Sequence, residues 1–408
     1  MKAIIAGGGI GGLTTALLLH SRGIAVEIYE QAEEIRELGV GINALPQAIE
    51  ELAAIGLLDR LDAVAIRTNE LYYLNRHGQI VWQEARGMGG GHPVPQFSIH
   101  RGRLQSVLLN AVLERLGPQV LHTNCKLVNF TQTETGVTAQ FEDIKGAHAA
   151  SAAGDVLIGA DGIHSYVRSR INPGEGPPKW NGLLLWRGAH DWPAFLDGRS
   201  MVVAGGLEAK VVVYPIAEGA TPGTRLTNWG VISRVGEPNS IPPRREDWSR
   251  PGRWDDLGPR IAGFRIPQVD AAALMRDTPV FWEYPMCDRD PLSGWSQGRV
   301  TLLGDAAHPM YPVGSNGASQ AILDARALAD ALITHSSVED ALRAYDSVRR
   351  PVTSAIVLAN RLGGPEGVID AVDALAPHGF DDVDAVMSRE DRRGIVVGRA
   401  GAAAVRAV

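Results

Sequence analysis

Short apolar runs closed by glycine or an acid recur along this chain and mark buried strands. Ala3-Ile4-Ile5-Ala6 is the first, and it passes into Gly7-Gly8-Gly9-Ile10-Gly11-Gly12, where five of six residues are glycine. Leu13 to His20 then carries helix formers, and Ala25-Val26-Glu27-Ile28-Tyr29-Glu30 returns as a strand. Strand, tight turn, helix and strand in this order predict a βαβ unit. Asp155 to Ala160 and Val300 to Leu303 are apolar on both faces, as central strands of a parallel sheet are. They deliver Asp161-Gly162 and Gly304-Asp305 to the carboxyl edge of that sheet, where ligands of open α/β folds bind.

Helical spacing of Ile49, Leu52, Ala53 and Leu57 predicts a helix from Pro46 to about Leu61. Ala321, Ile322, Ala325, Leu328 and Leu332 predict another from Gly317 to about His335. A third should run from Val338 past Pro351, which should kink it. Between the two central strands the pattern changes. Leu183-Leu184-Leu185-Trp186, Met201-Val202-Val203-Ala204 and Val211-Val212-Val213-Tyr214 read as strands of a second lobe, and eight of the nine tryptophans fall between Trp180 and Trp295. The Pro/Arg/Gly-rich stretch near 237–260 reads as loop, and the last segment, GRAGAAAVRAV, is expected to be poorly ordered.

The 408 residues suit one large α/β domain with a second lobe. A net charge of -7 argues against nucleic acid or an anionic membrane as the main partner, because both need a basic surface. Two distant cysteines, Cys125 and Cys287, are too few for a disulfide scaffold, and no apolar run approaches the length of a membrane span. These features predict a cytoplasmic protein. The histidines show no metal-binding spacing, so no metal is expected.

Gly7 to Gly12 has the form G-x-G-x-x-G directly after a strand and opening a helix. Gly7 suits the tight turn, Gly9 lets backbone approach a pyrophosphate, and Gly12 lets helix and strand pack closely. The helix N-terminus offers free N–H groups to phosphates, and Glu30 ends the second strand where it can accept hydrogen bonds from ribose hydroxyls. These residues imply a dinucleotide without saying which. Pro312 to Gly317, just before the strongest helix, places further N–H groups where they can stabilise developing negative charge.

The chain resembles the flavoprotein aromatic hydroxylases typified by para-hydroxybenzoate hydroxylase. Three stretches carry the likeness in the family's order: Gly7–Gly12 with Glu30, Asp155 to Arg168 (DVLIGADGIHSYVR), and Gly304-Asp305-Ala306-Ala307-His308-Pro309. Leu38 to Leu52, Phe97 to Gln105, Leu184 to Gly188, Tyr284 to Leu292 and Met310 to Ala325 are most similar to members acting on a phenazine carboxylate. The resemblance implies an α/β fold: a Rossmann-type FAD-binding domain with an inserted β-sheet-rich substrate domain and C-terminal helices. FAD-binding segments would span 1–70, 101–175 and 286–365, substrate-domain strands 71–100 and 176–285, and a C-terminal segment 366–408.

The same resemblance implies noncovalent FAD, transient NAD(P)H as reductant, and hydroxylation of a planar aromatic or N-heteroaromatic molecule by O2 through a C4a-hydroperoxyflavin. Ring epoxidation or Baeyer–Villiger insertion is the alternative. No catalytic side chain is required, since the flavin carries the hard step. The cofactor set it implies is Gly7, Gly9, Ile10, Gly11, Gly12, Glu30, Gln31, Val40, Gly41, Arg101, Asp161, Asp305, Gly314, Asn316, Gly317 and Ala318. Asp305 would hold flavin hydroxyls, Arg101 the phosphates, and Asp161-Gly162 would lie near both nucleotides. Trp186, Tyr214, Trp229 and Pro312 are candidates for the substrate pocket, and His308 reads as a hydrogen-bonded structural residue. One departure stands out: the family's usual Gly-Gln-Gly-x-Asn turn is Ser315-Asn316-Gly317-Ala318-Ser319 here.

Overall fold

A computed structural model describes residues 1–37, 40–244 and 250–404, with side chains to residue 398. The first apolar runs build a six-stranded sheet. Its order is Ser296–Gln297, Val300–Leu302, Val156–Gly159, Lys2–Ala6, Ala25–Tyr29 and Leu121–His122. All neighbours are parallel except the first pair. Helices Ile10–His20, Arg101–Leu116 and Gly317–Thr334 enclose it with a continuous core that includes Ile4, Ile5, Leu13, Leu104, Val156, Leu302 and Ile322.

The second sheet has seven strands in the order Trp282–Asp288, Lys179–Pro193, Thr224–Arg234, Ala209–Glu218, Met201–Ala204, Glu70–Leu74 and Ile80–Ala85. One of its faces packs a core of Trp186, Trp229, Val211, Val213 and Phe281 against helices Trp254–Ile261 and Ala271–Asp277. The other face turns toward the first sheet. Because successive strand residues point to opposite faces, each strand supplies both. Two three-stranded sheets complete the architecture: Lys126–Gln132 with Val137–Glu142 and His148–Gly154, and Gly41–Ala44 with Gln96–His100 and Ile66–Thr68.

Two expectations are corrected. The helix from Pro46 stops at Ala54 and a short one resumes over Leu58–Asp62, because Gly56 takes φ +74 and turns the chain between them. The stretch near 237–260 is not all loop, since Trp254–Ile261 is helical; near the C-terminus the backbone is helical over Arg389–Ala404, with Val396 buried against the substrate sheet. Residues 405–408 and Gly39 lie outside the described residues. Pro351 lies inside the helix Val338–Arg361, and no disulfide joins Cys125 to Cys287.

Candidate active site

A groove of about 680 Å³ runs between the two sheets. Its first wall comes from the βαβ unit. Gly7 has φ +116, and a Cβ there would lie 2.2 Å from the Ala160 carbonyl oxygen. At Gly12 a Cβ would lie 2.0 Å from the Gly7 carbonyl oxygen. Both positions are fixed by protein packing. Gly9 differs: a Cβ there meets no protein atom within 4 Å, and the residue lines the groove. Its glycine leaves space for something other than the protein.

Glu30 braces this loop. Its carboxylate accepts from the Gly8 N–H at 2.7 Å and the Ala32 N–H at 2.9 Å. Gln31 is exposed beside it. Val40 and Gly41 line the groove, held by Arg101 N donating to the Val40 carbonyl (2.9 Å) and Gly41 N donating to Asn228 Oδ1 (2.8 Å). Ile10, Gly11, Arg101 and Asp305 share the same groove. Asp305 is exposed to the groove yet surrounded by its walls. Burial raises its pKa, and the charges of His308 and Arg101 pull it partly back. Burial also lowers the pKa of Arg101, aided by the nearby Arg187, while Asp305 and Glu30 oppose that.

The far end of this wall is the loop Pro312–Gly317. Gly314 has φ +64 and Ser315 φ +59, so the chain makes two successive left-handed steps before helix Gly317–Thr334. Gly314, Asn316, Gly317 and Ala318 line the groove. Asn316 is 4% exposed, and its Oδ1 has no hydrogen-bond partner among the described residues. A buried polar atom without a partner is costly, so this one implies a ligand group beside it.

Three of the predicted site residues are otherwise engaged. The Asp161 carboxylate accepts from Ser165 Oγ and from the N–H groups of Tyr166 (2.7 Å) and Val167 (3.3 Å). It caps the helix Tyr166–Ile171, and Ala160, Gly162 and Ile163 line the groove instead. Burial raises its pKa despite those bonds. Trp186 lies in the opposite core, its Nε1 donating to Glu283 Oε2 at 3.0 Å. Trp229 borders the groove, but its indole packs into that same core and donates to Thr278 Oγ1 at 2.8 Å. Strand parity decides this: Trp186 and Trp229 occupy alternate positions to the groove-facing Arg187 and Asn228.

Tyr214 and Pro312 do line the groove. With them stand residues that sequence reasoning passed over: Arg187, Tyr284, Leu185, Val203 and Val212. Arg187 is 9% exposed and its guanidinium lies 4.8 Å from the Tyr284 ring centroid. An arginine directly after the apolar run Leu183–Trp186 was the available signal, because alternation puts Arg187 on the same face as Leu185. Burial raises the pKa of both Tyr214 and Tyr284, with Arg187 opposing it, so both phenols remain protonated. His308 is structural, as expected: its Nε2 is 2.5 Å from Asp324 Oδ2.

A family profile described as FAD binding domain matches residues 1–204 and 277–360. The chain is 46% identical to phenazine 1,6-dicarboxylic acid hydroxylase PhzS of Lysobacter antibioticus, over 88% of each chain. This chain belongs to the FAD-dependent aromatic hydroxylases. It is 33% identical to 3-hydroxybenzoate 6-hydroxylase of Klebsiella oxytoca over 88% of this chain and 87% of that one. It also superposes on Klebsiella pneumoniae HpxO complexed with FAD and uric acid, with TM-score 0.74, 25% identity and coverage of 98% and 96%. A hydroxylase of this family takes electrons from NAD(P)H and an oxygen atom from O2. Names that specify hydroxylation do not favour the epoxidase or Baeyer–Villiger alternative.

The groove of this hydroxylase fits FAD on its own terms. The open space at Gly9 and Gly317, the exposed Asp305 and the unpartnered Asn316 Oδ1 lie along one channel. When bound, FAD supplies hydride acceptance and oxygen activation. The described residues contain no helix long and apolar enough to cross a membrane.

Proposed function

We propose that this hydroxylase acts on a planar N-heteroaromatic carboxylate of the phenazine type. The observation that carries the reading is the sheet face opposite the nucleotide wall. It is flat and mostly apolar (Leu185, Val203, Val212, Tyr214), with the nearly buried Arg187 as a cation set in it. A flat fused ring fits between such walls, and a carboxylate is the group that a guanidinium binds best. The named relative that acts on a phenazine dicarboxylate is in keeping with this chemistry.

In this reading the diphosphate of FAD follows Gly9, Ile10, Gly11 and Arg101, and Asp305 accepts hydrogen bonds from flavin hydroxyls. The ring end meets the loop from Gly314 to Ala318, through N–H groups that follow Gly314. The FAD-binding segments are 1–70, 101–175 and 286–365, with the substrate strands inserted between them. Tyr214, Tyr284 and Arg187 orient the substrate, and the apolar sheet face keeps water from the reacting carbon. NAD(P)H binds transiently, without a nucleotide domain of its own. The enzyme works in the cytoplasm, with neither nucleic acid nor membrane as partner.

The test is a screen of phenazine mono- and dicarboxylates, hydroxybenzoates and uncharged phenazines for stimulated NAD(P)H oxidation, with products identified by mass. A carboxylated phenazine gaining 16 mass units (about one oxygen atom) is the expected result. Hydroxylation of uncharged phenazines or simple benzoates alone would overturn the substrate class.

A further inference from the structure

One buried ion pair lies between the two walls of the groove and has no part in the reading so far. Lys210 belongs to strand Ala209–Glu218 and alternates with Val212 and Tyr214, which places it on the groove-facing side. Its side chain is 3% exposed and its Nζ is paired with Glu366 Oε2. Glu366, 9% exposed, ends the short turn Gly364–Glu366 after the long helix Val338–Arg361 and itself lines the groove. Its second oxygen, Oε1, accepts from the Gly314 N–H at 3.2 Å. One carboxylate therefore ties the substrate sheet to the first left-handed step of the loop Pro312–Gly317.

The loop needs such a tie. Ser315 holds φ +59, a backbone conformation that a residue with a Cβ keeps only where its surroundings over-determine it. The pair is also a poor choice for stability alone. Burying two charges costs about what their attraction returns, and apolar residues of similar size would serve as well. A buried pair kept at this place is better explained by position and charge.

We propose that Lys210 and Glu366 are positioning residues that, by holding the Gly314 N–H, aim the Ser315–Gly317 amides into the groove and keep the net charge that the pair places beside the flavin ring at zero. The proposal rests on the reading that the ring end of FAD meets this loop. Reduction adds negative charge to the ring, so an unbalanced Glu366 carboxylate opposes reduction and an unbalanced Lys210 ammonium favours it.

The test compares the FAD-loaded enzyme with Lys210→Met, Glu366→Gln, the double variant and Lys210→Arg by spectroelectrochemical titration. Lys210→Met should lower the flavin potential and Glu366→Gln should raise it. Each shift should reach about tenfold in the reduced-to-oxidised ratio, which is about 30 mV for a two-electron couple. The double variant and Lys210→Arg should lie near the parent. Shifts in one common direction, or none, overturn the proposal, since a merely structural pair has no reason to give opposite signs. Hydrogen exchange of residues 312–317 is measured alongside, with and without FAD. Both single variants should exchange faster than the parent in the FAD-free state. Unchanged exchange there overturns the proposal even if a variant fails to bind flavin. Failure of FAD to protect these amides in the parent overturns the placement of the ring instead.

Discussion

The nucleotide wall and the substrate wall of the groove are built by different means. In the first, backbone touches backbone. Gly7 and Gly12 would each put a Cβ within 2.2 Å of a carbonyl oxygen, and Glu30 spends its carboxylate on backbone N–H groups. Function there depends on what is left out, since a glycine is defined by the space it clears. In the second wall, side chains from separate strands meet on one face, some of them, such as Leu71 and Tyr284, far apart in sequence, and Arg187, Tyr214 and Tyr284 act by what they add. A wall made of backbone tolerates few substitutions but binds one invariant ligand. A wall made of alternating side chains can be rewritten position by position, which suits the part that selects substrate.

The sharpest way to break this comparison is at two glycines of the same loop. Gly12→Ala should prevent folding of the βαβ unit, because the new Cβ collides with backbone that cannot move. Gly9→Val should fold normally and bind no flavin, because its side chain enters only the groove. Far-UV circular dichroism and flavin absorbance separate the two, and a yellow Gly9→Val protein would remove the diphosphate from this place.

On the opposite wall, Arg187→Met should raise KM for a carboxylated substrate by about tenfold to a hundredfold with FAD affinity unchanged. That range corresponds to a charge-assisted hydrogen bond of about 1.5–3 kcal/mol. Trp186→Phe serves as its neighbouring control and should leave KM within about twofold, since the core contacts and the Nε1 bond to Glu283 that it alters lie on the opposite face. A KM that follows Trp186 and ignores Arg187 would reverse the assignment of faces.

Asp305→Ala should weaken FAD by about tenfold to a hundredfold and leave substrate recognition alone, because the proposed role of its carboxylate is to accept hydrogen bonds from flavin hydroxyls. Fluorescence titration of the FAD-free protein measures it, and unchanged affinity would place those hydroxyls elsewhere.

A smaller and more general effect tests the scaffold behind the first wall. Burial by itself would raise the pKa of Asp324. The His308 and Arg349 charges and hydrogen bonds more than offset that and hold it at about 2. A depressed folded-state pKa adds stability above the unfolded value and loses it as pH falls toward the folded one. The structure should therefore lose on the order of 2 kcal/mol as pH drops from about 4 to about 2. Asp324→Asn should flatten that acid limb in urea unfolding series, and a limb of unchanged steepness would assign the loss to other carboxylates.

The legible and illegible parts follow the same division. The glycine motif, the two strands ending in acids and the helix after Gly317 were all readable, since each is decided within a few residues of chain. The break at Gly56 was missed because apolar spacing continues across it. Trp186 was preferred to Arg187 because aromatic surface suggested a pocket, although the two face opposite ways. Asn228, which holds Gly41, and the Lys210–Glu366 pair left no local trace, since each partner lies more than 150 residues from the other.

The amino-acid order alone determined a dinucleotide-binding α/β fold, a sheet-rich second lobe and the glycine turn that opens the first helix, because tight turns and helix starts are governed by neighbours along the chain. Only the tertiary structure decided which face of each substrate strand meets the groove. It also decided that Asp161 is spent on a helix cap, and that one carboxylate joins the two walls. Those are long-range facts. A strand presents two faces with equal readiness, and which becomes a site depends on the register and packing that distant segments impose.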